Sequence, residues 1–518
     1  MQLSTLVATS GTVAATRSRT AKVAELAALL REAVLSGSRE VTLVTAFLSG
    51  RVPHGRLGVG YRTLATLPPP ADTASLTVAD VDAAFTTLAT AAGPGSVAVR
   101  RDALTQLFEA ATADERDFLA GLVTGEVRQG ALDGVMQLAV AEAAGVPLEA
   151  VRRAAMLAGR LDEIAPVAMS EGEAGLNAIS LQVLRPVSPM LASSATSISE
   201  AFAGEGPWDI GRKLDGIRIQ AHKHGSKVRV FTRSLDNITD RLPEVVEVIA
   251  ALPANSLVVD GEAIALRPDG RPEPFQITGA RTASTKDPAQ LRAQTPLTTY
   301  LFDLLHLDGR SLLDEPLTTR LDLLGTLAMP ANTVESVVTD DPTIAEAFFA
   351  DQLAAGHEGV VIKSLTSPYA AGRRGGAWVK VKPRHTLDLV VLAVERGSGR
   401  RRGTLSNIHL GARSGDGFVM LGKTFKGMTD EMLAWQTTRF TELATSDDGW
   451  VVTVRPEQVV EIAFDGLQRS SRYPGGLALR FARVLRYRDD KTAAQADTLE
   501  AVRSLAGAAG PFDPAAPD

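Results

Sequence analysis

The sequence contains no cysteine, and its apolar residues form no run long enough to cross a membrane. Without cysteine there can be no disulfide, no cysteine-ligated zinc site and no thiol nucleophile. The N-terminus lacks a basic segment followed by an apolar one, so a secretion signal is not indicated. We therefore expect a cytoplasmic protein that does not enter the membrane.

An excess of positive charge is also missing, since the formal net charge is −6. Any affinity for nucleic acid must then come from local clusters. Residues 469–491 hold seven Lys or Arg against two acids, Asp489 and Asp490, and residues 400–402 are three consecutive arginines. Such clusters predict salt-dependent, sequence-independent contact with a phosphate backbone, although an arginine run of this kind also fits a solvated loop.

The chain of 518 residues predicts three or four domains of about 150 residues each. Residues 1–184 show apolar spacings typical of helices, for example over 22–34, and end in an acidic stretch that reads as a domain tail. Residues 185–191 contain two prolines and indicate an extended linker. We therefore predict a first, all-α domain over 1–184.

The rest of the chain changes character. Residues 185–383 alternate short β-branched runs with helices, which predicts an α+β domain with a mainly antiparallel sheet. Residues 384–495 contain several short strands and one helix, which predicts a small β-barrel of the OB-fold type. Residues 496–518, rich in Ala, Gly and Pro towards the end, are predicted to be a disordered tail.

The most informative stretch is residues 213–218, which read KLDGIR between two predicted strands. Gly216 permits a tight turn or the close approach of a ligand. A lysine at such a corner can act as a nucleophile once its amine is deprotonated, and Arg218 is a neighbour able to lower the lysine pKa. Taken alone, the motif fits a solvated surface turn equally well.

Further charged and aromatic residues follow at the ends and along the faces of the predicted strands. They are Arg233, Glu262, Phe302, Glu358, Lys363, Trp378, Lys380 and Lys382. Singly, each also fits a solvated strand end or a core position. Together they supply an aromatic ring for a base, carboxylates for a cation or a ribose, and cations for phosphates, which are the groups that phosphoryl and nucleotidyl transfer need.

In this order and spacing the motifs resemble the covalent nucleotidyltransferases, and most closely the three-domain ATP-dependent DNA ligases. The signature Lys-x-Asp-Gly-x-Arg is met at 213–218, the family's final motif by RYRDDK at 486–491, and its lead-in by GGLALRF at 475–481. GVG at 58–60 and RQG at 128–130 are looser echoes of the family's DNA-binding domain. The resemblance covers about residues 20–495 and implies a helical DNA-binding domain, an adenylation domain and an OB-fold domain.

The resemblance also implies a role for each matching residue. Lys213 would form a lysyl-AMP with ATP, from which AMP passes to the 5′-phosphate of a nick in duplex DNA before the 3′-hydroxyl displaces it. Phe302 would stack on adenine, and Glu262 and Glu358 would hold Mg²⁺ or, for Glu262, the ribose. The remaining expected contacts with the nucleotide are Arg218, Arg233, Lys363, Arg374, Lys380, Lys382, Arg488 and Lys491. The expected enzyme is a monomer associated with the nucleoid through DNA.

One departure and several alternatives stay open at this stage. Many relatives carry an acidic residue two positions before the lysine, where this chain has Gly211, so the strictness of the preference for ATP is open. An RNA ligase or a capping guanylyltransferase would share the lysine motif, although the long helical region disfavours capping. NAD-dependent ligases are disfavoured because they carry a cysteine zinc site. A non-catalytic nick-binding scaffold would require a broken motif.

Overall fold

The computed structural model describes residues 1–55, 57–64, 68–127, 133–202, 206–370, 374–398 and 401–505. The side chains of Tyr61, Arg62 and Arg374 lie outside this description, as do the 128–130 motif and Arg400. Within the described ranges, no helix combines the length and the apolar character needed to span a membrane.

The N-terminal region contains ten helices in its described residues, all packed around one apolar core. They are α1 (Leu3–Ala15), α2 (Arg19–Val34), α3 (Ser38–Leu48), α4 (Tyr61–Leu64), α5 (Val78–Thr90), α6 (Ser96–Ala110), α7 (Ala113–Thr124), α8 (Asp133–Ala144), α9 (Leu148–Ala158) and α10 (Leu161–Ala178). Side chains close several N-termini: Ser18 accepts from the Ala21 N–H, and Thr77 with Asp80 forms a reciprocal capping box.

The interpretation of the acidic stretch after residue 160 as a domain tail was wrong, because it folds as α10. Leu161, Ile164, Ala165 and Ala168 lie at helical spacings and are buried in the core, while the acids mostly face outwards. Burial of one apolar face outweighs the poor helix propensity that Pro166 gives to this segment.

The middle region has two five-stranded sheets where the sequence suggested one. Its strands are β1 (Leu191–Ala195), β2 (Trp208–Lys213), β3 (Ile217–His224), β4 (Lys227–Thr232), β5 (Ser256–Ala265), β6 (Leu297–Leu307), β7 (Arg310–Ser311), β8 (Ser336–Thr339), β9 (Gly359–Ser364) and β10 (Arg374–Val381). One sheet has the order β1-β10-β9-β2-β8 and the other β4-β3-β5-β6-β7. Neighbouring strands are antiparallel apart from the pair β1–β10.

The described helices of this region pack against the sheets or against one another. They are α11 (Ile198–Ala201), α12 (Pro243–Ala251), α13 (Phe275–Ala283), α14 (Pro288–Gln294), α15 (Leu317–Leu327) and α16 (Pro342–Ala354). Strand β2 ends at Lys213 in the first sheet, and β3 begins at Ile217 in the second. The turn between them therefore carries the chain from one sheet to the other, and Lys213 lies at that crossing.

The predicted linker is extended but firmly held. We call residues 184–190 the strap. The Val187 N–H donates to Gln220 Oε1 at 2.8 Å and the Gln220 amide donates back to the Val187 carbonyl at 3.1 Å, so the strap is bound to β3 in both directions. The Leu184 N–H donates to His222 Nδ1 at 3.0 Å. The Ser188 N–H donates to the Met156 carbonyl of α9 at 2.9 Å, so the strap joins the helical region to the middle region.

The C-terminal region is rich in antiparallel strands. They are β11 (His385–Arg396), β12 (Leu405–Ser414), β13 (Gly417–Thr424), β14 (Ala444–Asp447), β15 (Val451–Val454), β16 (Val459–Phe464), β17 (Gly466–Arg469), β18 (Leu477–Arg480) and β19 (Arg483–Tyr487), with helix α17 (Asp430–Glu442). The long strand β11 pairs with β12, β15 and β16, and β16 pairs with β19. Strands β17 and β18 form a separate hairpin.

Structure continues beyond residue 495. A short helix, α18 (Leu499–Ser504), buries Leu499 and Val502 against the core of the C-terminal region. The Asp497 carboxylate accepts from the Asp388 N–H at 2.8 Å, which ties the segment to β11. The prediction of a disordered tail over 496–518 was therefore wrong for 496–505, and residues 506–518 lie outside the described part of the chain.

Candidate functional site

A cavity of about 1000 Å³ opens beside the turn that joins the two sheets. Its wall includes Lys213 and the turn after it, Glu262 from β5, Phe302 from β6 and Trp378 from β10. The fold thus brings to Lys213 residues that lie as far as 167 positions away in the sequence. Gly216 is required here, because a Cβ at this position would meet the Ala263 carbonyl oxygen at 2.5 Å.

Lys213 is the first member of a chain of alternating charges. Its ammonium contacts Glu358, which directly precedes β9, and Lys382 donates to the other oxygen of Glu358 at 3.3 Å. Lys382 also donates to Asp465, at the end of the strand β16 that belongs to the C-terminal region. Burial raises the pKa of Glu358, but Lys213 and Lys382 outweigh that effect and hold the pKa below its ordinary value.

Arg218 is held in the wall by a buried network. Its guanidinium donates to both oxygens of Asp260, with an Nε–Oδ1 distance of 3.0 Å, and to the carbonyl of Met190 at 2.6 Å. Tyr369 donates its hydroxyl to the same Asp260 at 2.7 Å. Burial lowers the pKa of Arg218, yet the pairing with Asp260 outweighs it, so the pKa is raised and the charge is permanent.

Asp260 has no role among the predictions from the sequence, although a signal was available. Asp260 lies two residues before Glu262, so period-2 alternation places both carboxylates on one face of β5. Glu262 lies opposite Arg218 in the register of β3 and β5. Asp260, two residues from Glu262 on the same face of β5, was therefore the expected partner of Arg218.

An aromatic corner forms another part of the wall. The ring centres of Phe302 and Trp378 are 6.0 Å apart in an edge-to-face arrangement. The Lys363 ammonium lies 4.8 Å from the Phe302 ring centre and 3.7 Å from the Asp209 carboxylate. Trp378 is 3 % exposed, so the alternative of a solvated strand end was wrong for this residue. Such a corner offers apolar faces and a cation to a planar, electron-rich ligand.

Glu262 and Glu358 are the carboxylates available to a divalent cation. Burial raises the pKa of Glu262 to about 7, although Lys213 and Arg218 oppose this effect. Because burial disfavours the ionised carboxylate, a cation bound beside Glu262 would stabilise that form. The described residues contain no group of three or more His, Cys, Asp or Glu able to cage a metal alone. Mg²⁺ needs no such cage, since it binds through one or two carboxylates together with waters and substrate phosphates. The residues present therefore fit Mg²⁺.

The other predicted residues divide into those at the cavity and those elsewhere. Arg233 and Lys380 line the cavity, and the side chain of Arg374 lies outside the described residues. Arg488 and Lys491 do not line it. Both are paired with Asp388 of β11, at 3.2 Å and 2.5 Å, and Arg488 also pairs with Asp490. In this arrangement the structure does not bring these two cations to Lys213.

A different arginine of the C-terminal region reaches the turn instead. Arg480, the last residue of β18, donates to Asp215 at 2.7 Å, and its guanidinium lies 5.2 Å from the Phe275 ring centre. From the sequence, Arg480 belongs to the basic cluster at 469–491 and was not predicted to lie near Lys213. Nothing in local spacing joins residues 265 positions apart, so only the packing of the two regions could show this contact.

Comparisons with known proteins agree along the chain. The model of a family described as "ATP dependent DNA ligase domain" matches residues 189–382, and models for its "C terminal region" and for a "DNA ligase N terminus" match 401–491 and 63–141. A "Probable DNA ligase" of Beutenbergia cavernae is 59% identical over 98% of this chain and 100% of its own length. "DNA ligase B" of Mycobacterium tuberculosis is 55% identical over 98% and 100%. A solved structure titled "Pmar-Lig_Pre." is similar in fold, with a TM-score of 0.64 and 19% identity over 93% of this chain and 99% of that one.

Proposed function

This chain belongs to the ATP-dependent DNA ligases, and from that premise we propose how its own residues carry out the reaction. It is an enzyme that uses ATP and Mg²⁺ to seal nicks in DNA, and its middle region has the nucleotidyltransferase-type ligase fold. Family membership removes the RNA ligase, capping and scaffold alternatives. The observation that carries the proposal is the position of Lys213 at the crossing between two sheets, on the wall of a cavity lined by an aromatic ring and carboxylates.

We propose Lys213 as the nucleophile. The Lys213 ammonium first gives a proton to water, and the neutral Nζ attacks the α-phosphorus of ATP. The bond to the bridging oxygen breaks, pyrophosphate leaves with the electron pair, and the nitrogen releases a second proton to water to give the phosphoramidate. A 5′-phosphate oxygen at the nick then displaces the lysine and takes AMP. Finally the 3′-hydroxyl attacks that phosphate and releases AMP. Contact with Glu358 supports this role, because the carboxylate fixes the direction of the amine while the substrate enters.

The other residues would then hold the nucleotide. Phe302 and Trp378 supply the apolar corner for adenine, and Lys363 contributes its charge at the ring edge. Arg218, Arg233 and Lys380 would face ribose and phosphates. Glu262 and Glu358 would hold Mg²⁺, which supplies charge neutralisation on the phosphates when bound. Lys382 would act through Glu358, while Arg374, Arg488 and Lys491 would contact the phosphate end.

The finer organisation is likewise proposed. We assign 1–184 to DNA binding, 185–383 to adenylation and 384–495 to an OB-fold domain, in which the long strand β11 paired with three partners supports the barrel assignment. We also propose a monomer that acts in the cytoplasm, in association with nucleoid DNA.

Covalent labelling tests the nucleophile. Wild-type protein incubated with Mg²⁺ and α-phosphate-labelled ATP is expected to retain label and to seal a nicked duplex, and Lys213→Ala is expected to do neither. Lys227→Ala on the exposed end of β4 serves as a control that keeps both activities. Label retained by Lys213→Ala would show that another residue is the nucleophile.

A further inference from the structure

Strand β2 carries an acidic side chain on the same face as Lys213. Side chains of a strand alternate between its two faces, so Lys213, Gly211 and Asp209 share one of them. Each residue advances a strand by about 3.3 Å, which puts Asp209 roughly 13 Å along the sheet from Lys213. A nucleotide whose α-phosphate lies at Lys213 can therefore reach towards Asp209 only with its base.

Three neighbouring strands each contribute a residue at the level of Asp209. Lys363 of β9 is paired in register with Asp209 of β2 on one side and with Trp378 of β10 on the other. Register partners lie on the same face of a sheet, so these three side chains form a row, which we call the end row. Lys363 and Trp378 line the cavity, and the Lys363 ammonium lies 4.8 Å from the ring centre of Phe302, the residue proposed to stack on adenine.

The end row is buried, and its polar atoms are incompletely paired. The Lys363 ammonium lies 3.7 Å from the Asp209 carboxylate and donates to the Phe302 carbonyl at 3.3 Å. Asp209 Oδ1 and Trp378 Nε1 have no hydrogen-bond partner among the described residues. Buried polar atoms are rarely left in this state. The end row is therefore arranged for a polar ligand atom that the described residues do not supply.

The level between the end row and Lys213 carries no acid. Gly211 lies there, paired in register with Val361 of β9. A Cβ on Gly211 would meet Val334 Cγ1 at 3.4 Å, so an apolar side chain borders the position where many relatives have a carboxylate. Polar recognition of the base must then come from another level of the sheet.

We propose that Lys363 recognises adenine by donating to its N1, and that Asp209 is the positioning residue that orients the Lys363 ammonium. The proposal rests on the proposed function and deepens it, because it names the group that replaces the acid absent at Gly211. An ammonium has three N–H donors. With Asp209 and the Phe302 carbonyl on two sides, one donor is left for an acceptor in the cavity. Adenine N1 is such an acceptor, whereas guanine N1 carries a hydrogen and cannot accept.

Single-turnover labelling of Lys213 by three α-phosphate-labelled nucleotides tests the proposal. They are ATP, 1-deaza-ATP, in which a C–H replaces N1, and 7-deaza-ATP, which is altered on the other edge of the base. For the wild type, the half-saturating concentration is expected to be about tenfold higher for 1-deaza-ATP than for ATP, and unchanged for 7-deaza-ATP.

The positioning role of Asp209 predicts a change in binding rather than in chemistry. Asp209→Asn is expected to raise the half-saturating concentration of ATP about tenfold and to keep the maximal labelling rate within about twofold. It is also expected to abolish the difference between ATP and 1-deaza-ATP, because a lysine that is no longer oriented does not select N1.

Two further variants separate this role from a general effect on folding. Asp209→Asn leaves a buried ammonium without its carboxylate, which destabilises a protein. The double variant Asp209→Asn/Lys363→Met removes both charges, and it is expected to fold and to label equally well with ATP and 1-deaza-ATP. The matched control is Asp162→Asn, since Asp162 is also buried and paired with an arginine, Arg160, in the helical region. It is expected to keep all wild-type values.

Equal half-saturating concentrations of ATP and 1-deaza-ATP in the wild type would overturn the proposal. A double variant that still prefers ATP would also overturn it. The same holds if Asp209→Asn lowers only the maximal rate and keeps the preference, as a purely structural role requires. Absence of labelling in the wild type would instead reject the proposed function.

Discussion

The individual residues around Lys213 show how pairing decides what a charged side chain can do. The family resemblance implied contacts with the nucleotide for Arg218 and Lys382, and in the structure Arg218 is bound to Asp260 and Lys382 to Glu358 and Asp465. A guanidinium that donates to both oxygens of a carboxylate keeps its position while a ligand enters. Arg218 can therefore shape the wall without moving.

Gly216 is the residue for which the structure makes the sharpest prediction. A Cβ would lie 2.5 Å from the Ala263 carbonyl oxygen and 2.9 Å from Glu262 Cγ. Neither atom can move away easily, because the first belongs to the backbone and the second to a closely packed strand. We expect Gly216→Ala to reduce the rate of Lys213 labelling by about 100-fold or more, because displacement of the turn misplaces the nucleophile. Rapid-quench labelling with ATP measures this rate.

Gly325→Ala is the matched control. Gly325 is an exposed residue within α15 where an added Cβ meets nothing within 4 Å. This variant is expected to label normally and to gain up to about 1 kcal/mol of stability. Normal labelling by Gly216→Ala would show that the turn tolerates a side chain and that its geometry is not critical.

The strap is the element whose importance the sequence understated. Two prolines predicted an extended segment but not its anchoring. Leu184 has a φ of 73°, a left-handed conformation that is unfavourable for leucine, and its N–H and carbonyl are held by His222 and Arg229. At its other end the Met190 carbonyl accepts from Arg218. The strap thus connects the helical region physically to the cavity wall.

His222 makes this anchoring sensitive to pH. Burial lowers the pKa of His222 to about 3, from an ordinary value of 6.5, and the nearby His306 and Arg229 add to the effect. In the neutral ring, Nδ1 accepts from the Leu184 N–H. Between pH 6.5 and 3, His222 is protonated in the unfolded chain but neutral in the folded protein. The free energy of unfolding therefore falls as the pH is lowered from 6.5 towards 3. Thermal unfolding midpoints across this range measure the effect.

His222→Gln separates this contribution from other titrating groups. The variant is expected to be less stable than the wild type at pH 7 and to show a smaller loss of stability on acidification, so the two curves converge. Parallel curves over the whole range would mean that His222 is not the group responsible.

Across the whole molecule, ion pairs between regions define the arrangement seen here. Arg480 with Asp215 and Lys382 with Asp465 join the middle and C-terminal regions, and Arg17 with Asp430 joins the helical and C-terminal ones. The last pair is exposed and contributes at most about 1 kcal/mol. Arg488 and Lys491 are meanwhile held by Asp388, so a role at the phosphates of ATP requires the C-terminal region to reorient.

That requirement predicts a split between the reaction steps. Arg488→Ala is expected to slow labelling of Lys213 by ATP about tenfold or more, through loss of a charged contact with the leaving pyrophosphate. Sealing of a nick that already carries AMP on its 5′-phosphate is expected to proceed near the wild-type rate. Single-turnover measurements of the two steps give both rates. An equal loss in both steps would indicate a general structural role for Arg488 instead.

The order of the motifs, the kinds of chemistry they supply and most helices and strands could be read directly from the chain. Apolar periodicity reports local burial, and a lysine, an aromatic ring and carboxylates limit the reactions available, so Lys213, Glu262, Phe302 and Glu358 could be predicted together as site residues. Asp260, Arg480 and the strap were not, nor was the pairing of Arg488 and Lys491 with Asp388. Those contacts join residues 28 to 265 positions apart. They depend on how sheets and regions pack, a property that spacing along the chain does not encode.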